Sequence, residues 1–312
     1  MNKLCALILC CVCTWACHSP SHPTFTDTPT SGDITILVDE SYRPMIQVLI
    51  DTFLKIYKYA SIKVKYLPET ELFDGLMKDS SIRLAVTARD LNPSEQLYFD
   101  SVRIIPRKNK IAIDGVAIIV HRDNPDSLLK FEQLKSIMQG KIRTWKQLNP
   151  RSSDDTIRIV FDQSGSANTR FLREKFLGEQ SFPSNTYALR SNAEVVDYVS
   201  KTNGAMGVIS VNWISDKDAP SANSFLQKIR VASIARPDTS ESAPDYCKPM
   251  QAYIALKEYP LIRDVYIISR EGRNGLGTGF AAFVAGDQGQ RLIKLMGMLP
   301  ATLPVRIVQI HS

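Results

Sequence analysis

Histidine is scarce in this chain. Four occur in 312 residues, and past the first thirty positions only His121 and His311 remain. A histidine-based metal cluster is therefore not expected, and no other spacing of ligands suggests a metal or cofactor. A Ser-His-Asp triad would need one of the two beside a nucleophile, and neither stands in such a motif, so no catalytic residue is assigned. Cysteine is scarce where a fold would use it. Cys5, Cys10, Cys11, Cys13 and Cys17 crowd the first seventeen residues, leaving Cys247 alone in the remainder. A disulfide framework spreads its cysteines through the fold, so none is expected. Long runs of one charge are missing as well. The formal charge is +6, and the densest basic stretch, Arg103 to Lys110 (RIIPRKNK), reads as a solvated loop, so a nucleic-acid partner is not expected. No apolar run is long enough to span a bilayer. What remains is an ordinary globular composition, 44% apolar and 22% charged, in a chain long enough for two globular units.

Lys3 supplies a short positive region, and Leu4 to Trp15 form an apolar core of signal-peptide length. The following Thr14-Trp15-Ala16-Cys17 resembles the lipobox of bacterial lipoproteins, in which the cysteine becomes the lipidated first residue of the mature chain. Residues 1–16 are thus expected to be a signal peptide. Residues 17–32, rich in Ser, Thr and Pro, are expected to carry lipid at Cys17 and to act as a flexible tether. The protein is expected on the periplasmic side of a bacterial membrane, held there by its lipid.

From Asp33 the pattern alternates strands and helices, the mark of an α/β fold. Strands are expected at Ile34 to Val38, Ile62 to Tyr66, Arg83 to Thr87, Ile111 to His121, Ile157 to Phe161, Gly204 to Ile209, Val265 to Ser269 and Val305 to Ile310. Helices are expected from Pro44, from Glu69, and over Phe131 to Met138, Thr169 to Leu177, Glu194 to Lys201, Phe280 to Val284 and Gly289 to Met296. No internal repeat is present. The Gly-rich GRNGLGTG at 272–279 comes too late for a dinucleotide-binding unit and reads as a structural turn.

The sharpest local feature runs from Ile157 to Arg170. A strand ends at Phe161, the loop Asp162-Gln163-Ser164-Gly165-Ser166 follows, and a helix begins. Helix-start amides lack intrahelical acceptors and carry the positive end of the dipole. With a glycine for close approach and two hydroxyls nearby, they form an anion cradle, to which Arg170 adds charge. Asp162 repels an anion unless that anion brings a proton, as phosphate does and sulfate does not. Helix capping by Ser164 or Ser166 accounts for the hydroxyls equally well.

The Asp-x-Ser-Gly-Ser loop leading into a helix resembles the phosphate loop of PstS-type substrate-binding proteins of ABC transporters. Further blocks fit in order. Val38-Asp39-Glu40-Ser41-Tyr42-Arg43-Pro44 resembles the family's first loop, and Thr87-Ala88-Arg89-Asp90-Leu91-Asn92-Pro93-Ser94-Glu95 its Ser-Arg-Pro-Leu-x-x-x-Glu turn. Asp114-Gly115-Val116, Gly140-Lys141 to Trp145, Gly204 to Ile209 and Tyr259-Pro260-Leu261-Ile262-Arg263 follow, so the resemblance spans about residues 33–310. It implies a two-lobed periplasmic-binding-protein fold of type II, with residues 33–115 and 236–312 in one lobe and 116–235 in the other. It implies a receptor for phosphate or a related oxyanion, delivering to an ABC permease in the inner membrane, and not an enzyme. By the matched blocks the ligand would meet Glu40, Ser41, Thr70, Ala88, Arg89, Asp162, Ser164, Gly165, Ser166 and Arg170. Arg89 is expected to face the Asp162 loop across the cleft. The chain departs from the family at Glu40, where a hydroxyl is usual, and at Val160, where an arginine is usual. Glu40 and Glu69 put negative charge near the proposed anion. A phosphate-sensing lipoprotein of the same fold is the alternative, and a phosphate-transferring hydrolase ranks last.

Overall fold

A computed structural model describes residues 27–215, 220–237 and 243–302. In chain order the strands are β1 (Ser31–Asp39), β2 (Tyr59–Leu67), β3 (Ile82–Thr87), β4 (Arg107–His121), β5 (Leu128–Leu129), β6 (Arg158–Phe161), β7 (Thr186–Ala188), β8 (Ala205–Ser210), β9 (Ile229–Val231), β10 (Ser233–Ala235), β11 (Tyr246–Cys247), β12 (Ile262–Ser269) and β13 (Leu299–Pro300). The helices are α1 (Arg43–Ile56), α2 (Glu69–Lys78), α3 (Pro93–Ser101), α4 (Phe131–Met138), α5 (Trp145–Leu148), α6 (Ala167–Phe176), α7 (Asn192–Lys201), α8 (Pro220–Lys228), α9 (Gln251–Ala255), α10 (Leu276–Ala285) and α11 (Asp287–Leu295).

The main sheet runs β2-β1-β3-β12-β4-β8-β6-β7, and β13 and β9 also pair with β4. β1 lies parallel to β2 and β3, and β6 lies parallel to β7 and β8. Strand β4 is shared between the two groups. Its residues from Arg107 to Gly115 pair with β12, and from Val116 to Val120 they pair with β8. Ile111, Ala112 and Val116 to Val120 are almost wholly excluded from water, which is why this stretch reads as a continuous apolar run rather than an alternation.

One core lies around α1, α7 and α10. A second gathers Val116, Ile118, Leu134, Trp145, Phe161 and Leu172. Cys247, Ile254, Tyr259 and Leu261 pack in this second core, with residues that the expected partition assigned to the other lobe. The Tyr259 hydroxyl donates to the Val116 carbonyl at 2.7 Å, which fastens that segment to the strand shared by both groups.

Two local features differ from the sequence reading. Of residues 27–32, placed in the tether by the sequence reading, Ser31 and Gly32 open β1, and Asp27 accepts a hydrogen bond from the Leu276 amide at the start of α10 (3.1 Å) and pairs with Arg273. This gives the Gly-rich loop before α10 its structural role. Helix α3 stands where only a turn was expected. Asn92 and Glu95 form a reciprocal capping box around Pro93 at the first helical position. The strand expected at Val305 to Ile310 and the lipobox at Cys17 lie outside the described residues.

Candidate functional site

Strands β1, β3, β6 and β8 end at Asp39, Thr87, Phe161 and Ser210, and the loops beyond these carboxyl ends meet. In open α/β sheets this is where ligands bind. From the first group, Asp39 turns the chain into a short 3₁₀ segment, Glu40–Tyr42, and its Oδ1 accepts the Ser41 amide at 2.9 Å. Its Oδ2 accepts the Ala167 amide at the start of α6, at 3.3 Å. Glu40 reaches the start of α7, where Oε2 accepts the Asn192 amide (3.0 Å) and the Asn192 side-chain Nδ2 (2.6 Å). Two carboxylates from one side of the molecule thus sit on two helix N-termini of the other, the placement favoured by the helix dipole.

The Asp162 loop closes the far side. Asp162 Oδ1 accepts the Ser166 hydroxyl at 2.6 Å, and Oδ2 accepts Asn192 Nδ2 at 3.2 Å. Ser166 also caps α6, its Oγ accepting the Thr169 amide. Gly165 has φ +79°, a left-handed conformation suited to glycine, and a Cβ there would lie 2.7 Å from Thr70 Oγ1. The Gly165 carbonyl accepts the Thr70 amide at 3.3 Å.

The expected residues therefore divide. Glu40, Ser41, Ala88, Asp162 and Ser166 are buried together, whereas Thr70 and Ser164 are exposed on the rim beside half-buried Gly165. Arg89 does not face the loop with a free guanidinium. Both of its terminal nitrogens donate to Glu95 at 2.7 Å, Nε donates to Glu69 at 3.0 Å, and the group lies 3.8 Å above the Phe73 ring. Arg170 donates to Glu69 through Nε (2.5 Å) and Nη2 (3.1 Å), to Glu174 (2.7 Å) and to the Ala88 carbonyl (3.4 Å). Glu69 is thus neutralised by two arginines. Among the described residues Glu40 has no arginine partner, and it is held by Asn192.

Electrostatics follows from this burial. Desolvation, then the neighbouring charges of Asp162 and Glu69, pushes Asp39 up to about 7. Burial likewise raises Glu40 to about 7, against the opposing pull of the Asn192 hydrogen bonds. Asp162 is raised by burial, although the Ser166 hydrogen bond favours its charged form.

Four participants carried no role in the sequence reading: Asp39, Asn192, Asn212 and Arg263. Asn212 Nδ2 donates to the Ser41 carbonyl (2.7 Å) and to Ser210 Oγ (2.5 Å), whose hydroxyl donates to Asp114 (2.8 Å). Arg263, on β12, donates through Nε to Asp114 Oδ2 at 3.0 Å. The block Tyr259 to Arg263 was noted, but nothing in its spacing told where the arginine would point. His121 closes β4 and accepts the Asp123 amide, taking no part here. Among the described residues no cluster of three metal-ligating side chains occurs, and no helix is long and apolar enough to cross a membrane.

A family model described as a PBP superfamily domain matches residues 23–288. The chain belongs to that superfamily. It is 22% identical over 273 residues to the phosphate-binding protein PstS of Bacillus subtilis (strain 168), covering 87% of this chain and 82% of that protein. It is 26% identical over 215 residues to the PstS of Staphylococcus aureus (strain USA300), covering 67% of this chain and 61% of that one. A Clostridium perfringens protein crystallised with bound phosphate superposes with a TM-score of 0.73 at 20% identity, covering 87% of this chain and all of that one. An ABC-type phosphate transport receptor from Vibrio cholerae gives 0.63 at 21%, covering 86% and 100%. The fold is that of the type II periplasmic binding proteins, as the sequence blocks implied.

Proposed function

We propose that this protein is a phosphate receptor that works outside the cytoplasm, without catalysing a reaction, and delivers its ligand to an ABC permease. The observation that carries this reading is the use of the α6 and α7 N-termini. Their first amides, on Ala167 and Asn192, already hold carboxylate oxygens, so both positions are built to accept anions. Asp162 beside them selects an oxyanion that carries a proton. The relatives that match most of the chain are phosphate-binding proteins, which supports the same ligand.

In this reading the two sides of the site are two lobes that meet along β4. The second lobe extends to about Leu261, because Cys247, Ile254 and Tyr259 pack in its core. Glu40, Ser41, Asp162, Gly165 and Ser166 contact the ligand. Arg89 and Arg170 position the site through Glu69, and Thr70 and Ser164 line the entrance. Lipidation at Cys17 anchors the protein at the membrane, so Cys17→Ser should release a folded protein into the soluble fraction. Retention of lipid by that variant would refute the anchor.

Titration calorimetry against phosphate and sulfate tests the ligand. The wild type should prefer phosphate. Asp162→Asn can donate as well as accept, and should narrow the phosphate-to-sulfate ratio without abolishing binding. An unchanged ratio would refute the role of Asp162, and a wild type that binds no phosphate would refute the ligand.

A further inference from the structure

We infer that Arg263, with the hydroxyls of Ser41 and Tyr42, provides the cationic contact for the bound oxyanion; this rests on the oxyanion-receptor reading above. An anion entering beside Asp39, Glu40 and Asp162 needs a positive charge whose donors are not already spent. Arg89 and Arg170 do not qualify, because Glu95, Glu69 and Glu174 occupy them. In β6, Val160, two residues before Asp162, is apolar and buried, and the strand's one cation, Arg158, is exposed at its far end.

Arg263 meets the requirement. It is only 6% exposed and is held at one edge by Asp114, with Nε donating at 3.0 Å and Nη2 lying 2.9 Å from the same oxygen. Among the described residues Nη1 has no hydrogen-bond partner. Ser41 Oγ and Tyr42 Oη are also buried without partners. The guanidinium carbon lies 5.5 Å from the centre of the Tyr42 ring and 5.9 Å from that of Phe171 on α6, so it stands between the two sides of the site. Ser41 joins the same network through Asn212, Ser210 and Asp114. Unpartnered buried polar groups are rare and costly, and three such atoms close together, Arg263 Nη1, Ser41 Oγ and Tyr42 Oη, are explained by one acceptor-rich partner. A tetrahedral oxyanion has oxygens enough to accept from the guanidinium and both hydroxyls at once.

The test is calorimetric titration with inorganic phosphate of the wild type, Tyr42→Phe and Arg263→Lys, with thermal unfolding of each. Tyr42→Phe deletes a hydroxyl that bonds to nothing among the described residues. It should leave the melting temperature unchanged or higher while weakening phosphate about tenfold or more, as expected for a hydrogen bond to a charged ligand. Arg263→Lys keeps the charge but loses the planar fork, and should weaken phosphate roughly a hundredfold. If Arg263→Lys does not fold, Tyr42→Phe decides alone. A wild type that binds phosphate while the folded variants bind it equally well would overturn this assignment and leave the receptor reading standing. A wild type that does not bind phosphate would overturn both.

Discussion

Asp39 should make this protein less stable as the pH rises through neutrality, the reverse of what a salt-bridged carboxylate does. Its carboxyl is fully buried, and burial with the neighbouring Asp162 and Glu69 raises it from an ordinary 3.8 to about 7. The folded protein therefore holds a proton that the unfolded chain has already released over this range. The stabilisation is fully present below about pH 4 and is lost as the pH rises through 7. At about 1.4 kcal/mol for each tenfold change, the whole effect is about 4 kcal/mol, of which about 3 kcal/mol falls between pH 5 and pH 8. Glu40, raised from 4.5 to about 7, acts in the same direction, as do buried Asp114 and Asp162. Asp27 is shifted down, so its contribution is lost only as the pH falls below its ordinary 3.8, outside this window.

Urea unfolding at pH 5 and pH 8 and constant ionic strength measures the difference. Asp39→Asn cannot ionise; it keeps an acceptor for the Ser41 amide but turns a donor toward the Ala167 amide that Oδ2 accepts, so the slope and not the absolute stability is the readout. Its stability should change less between pH 5 and pH 8 than that of the wild type. A wild type that gains stability from pH 5 to pH 8 would refute the reasoning, and so would an Asp39→Asn variant whose pH dependence is as steep as the wild type's.

Glu69→Ala should lower stability by about 2–4 kcal/mol, because Arg89 and Arg170 lose a shared buried acceptor but keep Glu95 and Glu174. Calorimetric melting checks this, and an unchanged melting temperature would refute the bridge. Gly165→Ala places a Cβ 2.7 Å from Thr70 Oγ1 at a φ of +79°. It should cost about 1–2 kcal/mol for the left-handed backbone and should also weaken phosphate, measured on the same titration as the wild type.

Much of the frame was legible because it is local. The apolar run of β4, the helix Phe131–Met138 and the strand–loop–helix around Asp162 are each written in consecutive residues. Strands β5, β10 and β11, of two or three residues, carry no period to read. The site was only half legible for a similar reason. Asp39 to Ala167 spans 128 positions, Glu40 to Asn192 spans 152, and Asp114 to Arg263 spans 149. Sequence spacing says nothing of such pairings. Arg89 shows the converse. Its type and motif fitted an anion contact, but Glu95, six residues on, takes both terminal nitrogens.

The arrangement of charge also bears on which anion can enter. Asp39, Glu40 and Asp162 are buried around the α6 and α7 N-termini, and the first two reach about 7. At neutral pH Asp39 and Glu40 are therefore partly protonated, and a protonated carboxyl can donate as well as accept. An entering oxyanion competes with Asp39 for the Ala167 amide and with Glu40 for the Asn192 amide. It gains little from those two exchanges, since each amide trades one acceptor oxygen for another. Its net affinity must come from groups that the protein's own carboxylates leave unused. Those are the free edge of Arg263 at Nη1 and the hydroxyls of Ser41 and Tyr42, with Asp162 accepting a proton only from a ligand that carries one.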